Sequence, residues 1–147
     1  MHTTSVPALV LRRTYDASPE RLYRAWTDPE LARQFLCPEG VKIAEIDLQP
    51  RAGGTYRIVM QKEDGERLVV RGTYRDVQPN RRLSMTWSWE EDDPADQYES
   101  LLSIEFVPHG NRTVLTLTHE QLRTLETREN HEHGWTSILD KMETLDR

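Results

Sequence analysis

Large apolar and small polar residues alternate with a period of two through most of the middle of the chain. The cleanest run sets Leu83, Met85, Trp87 and Trp89 against Ser84, Thr86, Ser88 and Glu90. That is the pattern of a strand with one buried face. The same alternation marks Tyr56-Ile58-Met60, Leu68-Val70-Gly72-Tyr74, Leu102-Ile104-Phe106 and Thr113-Leu115-Leu117-His119, and residues 41–48 read as a further strand ahead of them. Turn residues stand between these runs: Pro50 with Gly53-Gly54, Lys62-Glu63-Asp64-Gly65, Gln78-Pro79-Asn80 and Pro108-His109-Gly110-Asn111. They predict hairpins, and so an antiparallel meander. Residues 8–15, rich in Leu and Val, predict one more strand of the same sheet.

Helical signals occur in two places. Ser18-Pro19-Glu20 offers a cap, a proline for the first helical position and an acid for the dipole. Asp28-Pro29-Glu30 repeats the signal, so two short helices over 19–27 and 29–35 are expected, with a kink between them. From about Thr124 to Leu145 the apolar spacing becomes three and four residues, through Leu125, His131, Trp135, Ile138, Leu139, Met142 and Leu145. That spacing predicts a long amphipathic helix. The order β-α-α-β6-α gives an α+β fold, with a curved antiparallel sheet wrapped around the C-terminal helix. Residues 1–7 read as a flexible tail and 8–147 as one domain. A sheet gripping a helix closes poorly at its ends, so a cavity between the two is expected.

Composition narrows the function. The chain has 147 residues, 30% charged, and no apolar run near the ~20 residues of a membrane span. The N-terminus lacks a basic start followed by an apolar stretch, so no signal peptide is expected. A single cysteine, Cys37, points to a reducing, cytoplasmic setting and reads as a small buried hydrophobe. The net charge of −6 argues against a nucleic-acid partner. Residues 90–99 carry six of the 25 acids and no base, leaving 19 acids against 19 bases elsewhere. That segment is a solvated loop or, if it borders a cavity mouth, a rim that disfavours anions.

No cofactor, metal or catalytic group is expected. His131 and His133 lie two apart on a helix and diverge, and Cys37 has no second cysteine. Glu45 and Asp47 share a strand face and read as partners for arginines. His131 and Trp135, four apart, share a helix face on which His131 can approach His119. An imidazole there would contact a ligand or anchor helix to sheet. Gly134 costs a helix about 1 kcal/mol relative to Ala, which suggests close approach of helix and sheet.

The chain resembles the START-like, or SRPBCC, helix-grip superfamily, and within it the Aha1-like group. That group is similar to the C-terminal domain of the activator of Hsp90 ATPase. The resemblance rests on the run from Ser18 to Glu30, on Asp47-Leu48 with Gly53-Gly54, on Gly72-Thr73-Tyr74, on Leu83 to Trp89, on Thr113 to His119, and on His131 with Gly134-Trp135. Such proteins commonly have Trp where this chain has Phe35-Leu36. The resemblance implies a small hydrophobic or aromatic ligand held between sheet and last helix. The lining expected for it is Phe35, Tyr56, Ile58, Tyr74, Met85, Trp87, Ile104, Leu117, His119, His131, Trp135 and Leu139. The superfamily also holds lipid and hormone carriers and aromatic polyketide cyclases. One alternative is therefore a cyclase- or hydrolase-like enzyme with His131 or His119 as acid or base. Another is an Hsp90-associated interaction domain. A homodimer is permitted but not required.

Overall fold

Three side-chain caps set the helix starts. Ser18 Oγ accepts from the Arg21 N–H at 3.1 Å, which opens α1 (Pro19–Thr27). Asp28 accepts from the Glu30 N–H at 3.0 Å, which opens α2 (Pro29–Phe35). Asp28 itself is extended, at φ −93° and ψ 116°, so the break between the two helices is a cap and not a bend within one helix. Thr124 Oγ1 accepts from the Thr127 N–H at 3.0 Å and starts α3 (Leu125–Lys141), which tightens into a 3-10 turn over Met142–Thr144. The structure is a computed structural model that describes residues 6–91 and 97–144. Residues 1–5 of the expected tail, 92–96 of the acidic segment, and the helix end at Leu145 lie outside the described residues.

Seven strands form one antiparallel sheet: β1 (Leu9–Tyr15), β2 (Val41–Leu48), β3 (Thr55–Lys62), β4 (Arg67–Gln78), β5 (Arg82–Trp89), β6 (Ser100–His109) and β7 (Arg112–Glu120). Their order is β1-β7-β6-β5-β4-β3-β2, so β2 to β7 are a meander and β1 pairs with the last strand, Leu9 facing His119 and Tyr15 facing Thr113. Together with α3 this is the α+β helix-grip fold expected from the alternation. Register shifts between Ile43 and Glu45 and between Tyr74 and Asp76 add local twist to the sheet.

The inner face of the sheet, α1, α2 and α3 share one apolar core. Leu22, Ala25, Leu83, Leu102, Ile104, Leu115, Leu117 and Leu139 are fully buried in it. Tyr15 crosses the core to donate its hydroxyl to the Leu139 carbonyl at 2.7 Å, tying β1 to α3. Tyr56 donates to the Thr86 carbonyl at 2.6 Å. Val6 packs against the core, and the carbonyls of Pro7 and Ala8 accept from Arg128 at 3.0 and 3.3 Å. Val6, Pro7 and Ala8 thus contact the core or α3.

Gly72 marks the tightest approach within the sheet. A Cβ at this position would fall on the carbonyl oxygen of Thr86, in the paired strand β5. The Thr86 hydroxyl meanwhile accepts from the Thr73 N–H at 2.8 Å. Both strands are fixed backbone, so relief requires them to part. Gly72→Ala is expected to cost about 1–3 kcal/mol, read as a lowered urea midpoint. A variant as stable as the parent would show that β4 and β5 separate freely.

Candidate functional site

The space between sheet and α3 is divided in two. At one end lies a cleft of about 380 Å³. Its apolar wall is Val41, Met60, Leu68, Val69, Trp87, Trp89, Trp135 and Ile138, with Pro38 and Gly134 beside them. Its polar groups are Arg67, Glu90, Glu91, Thr127, Asn130 and His131. Further in, the interior is nearly filled. A second, internal pocket of about 10 Å³ is enclosed by Trp26, Leu36, Leu48, Tyr56, Ile58, Tyr74, Met85, Trp87 and Trp135. That is room for about one water-sized atom.

The expected site residues separate accordingly. Trp87, His131 and Trp135 line the cleft. Tyr56, Ile58, Tyr74 and Met85 surround the internal pocket, together with Trp87 and Trp135. Phe35, Ile104, Leu117, His119 and Leu139 are buried in the core and line neither space. Trp89, Met60, Leu68 and Trp26 line one or the other without having been singled out as ligand contacts. Trp89 was legible, since it shares a strand face with Trp87. Trp26 reads only as part of α1's buried face.

Two indole–imidazole bonds join β5, β7 and α3. Strand alternation puts Trp87 and Trp89 on one side of β5, and the four-residue helix step puts His131 and Trp135 on one face of α3. Trp135 Nε1 donates to His119 Nδ1 at 3.0 Å. His119 Nε2 lies 2.7 Å from Ser100 Oγ, whose own hydrogen goes to the Trp87 carbonyl at 2.9 Å. His119 is therefore neutral, with its proton on Nε2. Burial, and His131 next to it, push its pKa down to about 3. One layer outward, Trp89 Nε1 donates to His131 Nε2 at 3.0 Å, and His131 Nδ1 donates to the Thr127 carbonyl at 2.8 Å. Burial lowers the His131 pKa as well. The two imidazoles meet edge to face, with centroids 4.7 Å apart, as the sequence suggested. Every ring nitrogen of the pair is engaged, so as placed both histidines orient indoles instead of presenting a free base.

The other two indoles differ. Neither Trp26 Nε1 nor Trp87 Nε1 meets an acceptor among the described residues, although both side chains are buried. A buried donor left in this way costs about 1–3 kcal/mol. All four tryptophans of the chain nevertheless belong to one cluster: Trp87 lies 4.9 Å from Trp135 and 5.7 Å from Trp89, and Trp26 lies 5.8 Å from Trp135, centroid to centroid.

Three smaller expectations resolve here. Gly134 is not forced by close packing: a Cβ there would meet only Pro38 Cγ, at an ordinary 3.8 Å. Its missing side chain widens the cleft. Cys37 is buried, with Lys141 Nζ donating to its carbonyl at 2.9 Å. Glu45 and Asp47 form no ion pair among the described residues, contrary to the pairing expected of them, because both stay in solvent along β2, an edge strand. Among the described residues no three His, Cys, Asp or Glu side chains group as metal ligands, and no helix is long and apolar enough to cross a membrane.

Known proteins share this architecture. A protein of known structure from Chromobacterium violaceum superposes with a TM-score of 0.86 and 26% identity, over 94% of this chain and 95% of that one. The AHSA1 protein from Silicibacter pomeroyi gives 0.84 and 32% identity, over 93% and 95%. Among curated proteins, the mouse activator of 90 kDa heat shock protein ATPase homolog 1 is 27% identical over 130 residues, which is 86% of this chain and 33% of that protein. The human protein of the same name matches equally. The chain thus spans about a third of the length of these relatives. The model of the activator of Hsp90 ATPase homolog 1-like family matches residues 16–145, and with the seven-stranded helix-grip architecture this places the chain in that family, within the START-like SRPBCC superfamily.

Proposed function

We propose that this domain binds a small, neutral, hydrophobic or aromatic molecule in the cleft between β2–β5 and the first half of α3. The observation that carries the reading is the cleft itself. About 380 Å³ lies within the range of small-molecule sites, and tryptophan, methionine and aliphatic side chains dominate its wall. The family's fold is that of a ligand-binding domain, which agrees. Glu90 and Glu91 stand at the cleft and oppose an anionic guest, with Arg67 the one permanently cationic side chain among its described lining residues.

N-phenyl-1-naphthylamine is a neutral aromatic whose emission rises in apolar surroundings. It is expected to bind saturably. Gly134→Leu, which projects a side chain into the cleft from a position that accepts a Cβ, is expected to weaken that binding at least tenfold with the fold retained. The sulfonated analogue 1-anilinonaphthalene-8-sulfonate is expected to bind more weakly than the neutral probe, and Glu91→Gln to narrow the gap. Absence of saturable binding by the parent, or undiminished binding by Gly134→Leu, would sink the reading.

A second reading is contact with Hsp90. It is favoured by the curated relatives, which are named for activating that ATPase and which this chain matches over a third of their length. Retention of Hsp90 on the immobilised domain tests it. The single cysteine supports a reducing, cytoplasmic setting for either reading.

A further inference from the structure

The cleft changes character along its length. Helix α3 turns Thr127, Asn130, His131, Gly134, Trp135 and Ile138 toward it, at the three- and four-residue steps of one helix face. The first three are polar and the last three are not. Exposure runs the same way: Asn130 is exposed, Thr127 and His131 are half-buried, and Trp135 and Ile138 are buried. Three contacts show which part of the facing wall each half of this stripe meets. His131 accepts from Trp89, whose chain neighbours Glu90 and Glu91 are exposed. Gly134 lies by Pro38, and Trp135 packs on Trp87 with centroids 4.9 Å apart. Polarity and exposure therefore fall together, from an outer end at Asn130 and Glu91 to an inner end at Trp135 and Ile138.

The two ends treat a polar group differently. At the outer end, Arg67 and Glu91 form no ion pair among the described residues, and Asn130 adds a neutral amide that both donates and accepts. A head group there keeps its water or exchanges it for these side chains at little net cost. At the inner end, the described side chains offer a guest no reachable hydrogen-bonding group. The Trp135 N–H is given to His119, the Trp87 N–H is inaccessible, and Val41, Met60 and Ile138 contribute hydrocarbon and one thioether. A hydroxyl carried to that end loses its water without replacement.

We propose that the guest is an amphiphile with one polar end, held apolar end first: its ring system lies on Trp87, Trp135 and Ile138, and its hydroxyl or amide remains at Arg67, Glu91 and Asn130. The inference rests on the cleft reading above and adds to it a direction of entry and the place of the polar group. Molecules polar at both ends are selected against, because either orientation carries one polar group inward.

Two isomers separate the placement of polarity from its amount. In 2,3-dihydroxynaphthalene both hydroxyls stand at one end, whereas 2,6-dihydroxynaphthalene carries one at each. Both are titrated against N-phenyl-1-naphthylamine bound to the full chain. The 2,3 isomer is expected to compete about tenfold more strongly, the size of one buried and unpaired hydroxyl, and 2-naphthol is expected to match or exceed it. Direction is read separately, from NMR contacts between bound 2-naphthol and the methyl groups of Met60 and Ile138. Protons of the unsubstituted ring are expected to show these contacts, and protons flanking the hydroxyl are not. Equal competition by the two isomers, a preference for the 2,6 isomer, or methyl contacts from the protons flanking the hydroxyl would each overturn the inference and leave the cleft reading standing. A chain that binds neither the fluorescent probe nor 2-naphthol would overturn both.

Discussion

Trp135→Ala is expected to lower the free energy of unfolding by about 3–5 kcal/mol, the usual range for deleting a large buried aromatic. Trp135 is 3% exposed, packs on Trp26 and Trp87, and holds His119 through its N–H. Removing it opens a cavity beneath α3 and leaves His119 Nδ1 without its donor. A domain of ordinary stability, at about 5–15 kcal/mol, loses roughly a fifth of its margin at the least and all of it at the most. Trp135→Phe separates the two contributions. It keeps most of the bulk and removes the hydrogen bond, so about 1–3 kcal/mol is expected from the unpaired nitrogen. Urea unfolding by circular dichroism measures both. A loss below ~1 kcal/mol for the alanine variant would mean that α3 is anchored elsewhere, with Tyr15 and its bond to the Leu139 carbonyl the first place to look.

Acid should destabilise the domain by a comparable amount through one side chain. His119 titrates near pH 6.5 in the unfolded chain, whereas in the fold its pKa is pushed down to about 3 by burial and by His131 beside it. The unfolded chain therefore takes up the proton first. This contribution is complete above about pH 6.5 and is lost as pH falls toward 3, at about 1.4 kcal/mol per pH unit. Between pH 6.5 and 4.5 the loss from His119 is about 3 kcal/mol, and His131, shifted in the same direction, adds to it. At the alkaline end the buried phenols of Tyr15, Tyr56 and Tyr74 act in the opposite sense. Burial raises their pKa values, so stability present below about pH 10 is lost above it. Unfolding free energies across the range, together with the imidazole Cε1–H shifts, provide the check. A His119 signal titrating near 6.5, or stability flat from pH 6.5 to 4.5, would contradict the account.

Much of the fold was legible because its signals are local. Ser18, Asp28 and Thr124 cap the helices they were expected to cap, and the Leu83–Trp89 alternation lies on β5. Errors of extent have physical causes. The Leu68–Tyr74 run continues to Gln78 in β4, because the register shift between Tyr74 and Asp76 breaks the period of two and hides the continuation. The expected helix to Leu145 leaves regular α geometry after Lys141, although Met142 stays buried and keeps the apolar spacing alive. The site was less legible. Its histidines and Trp135 were visible from spacing on α3, but which indole meets which imidazole depends on how β5 and β7 sit against the helix. Gly134 was read as a contact and is a gap, a distinction that only its distance from Pro38 decides. The acidic segment, picked out by charge alone, reaches the cleft through Glu90 and Glu91.

The gathering of every tryptophan into one cluster has an optical consequence. Light at the red edge of protein absorption is taken up only by indoles, and here the four form one series, Trp26, Trp135, Trp87 and Trp89, with successive centroids 5.8, 4.9 and 5.7 Å apart, around the cleft and its internal pocket. Excitation energy passes among them before it is emitted. Two of the rings are held against imidazoles, which quench when they acquire a proton. The molecule's intrinsic emission is thus a single-site signal: colour and yield report what occupies the cleft and whether His131 is charged, with no background from any other part of the chain.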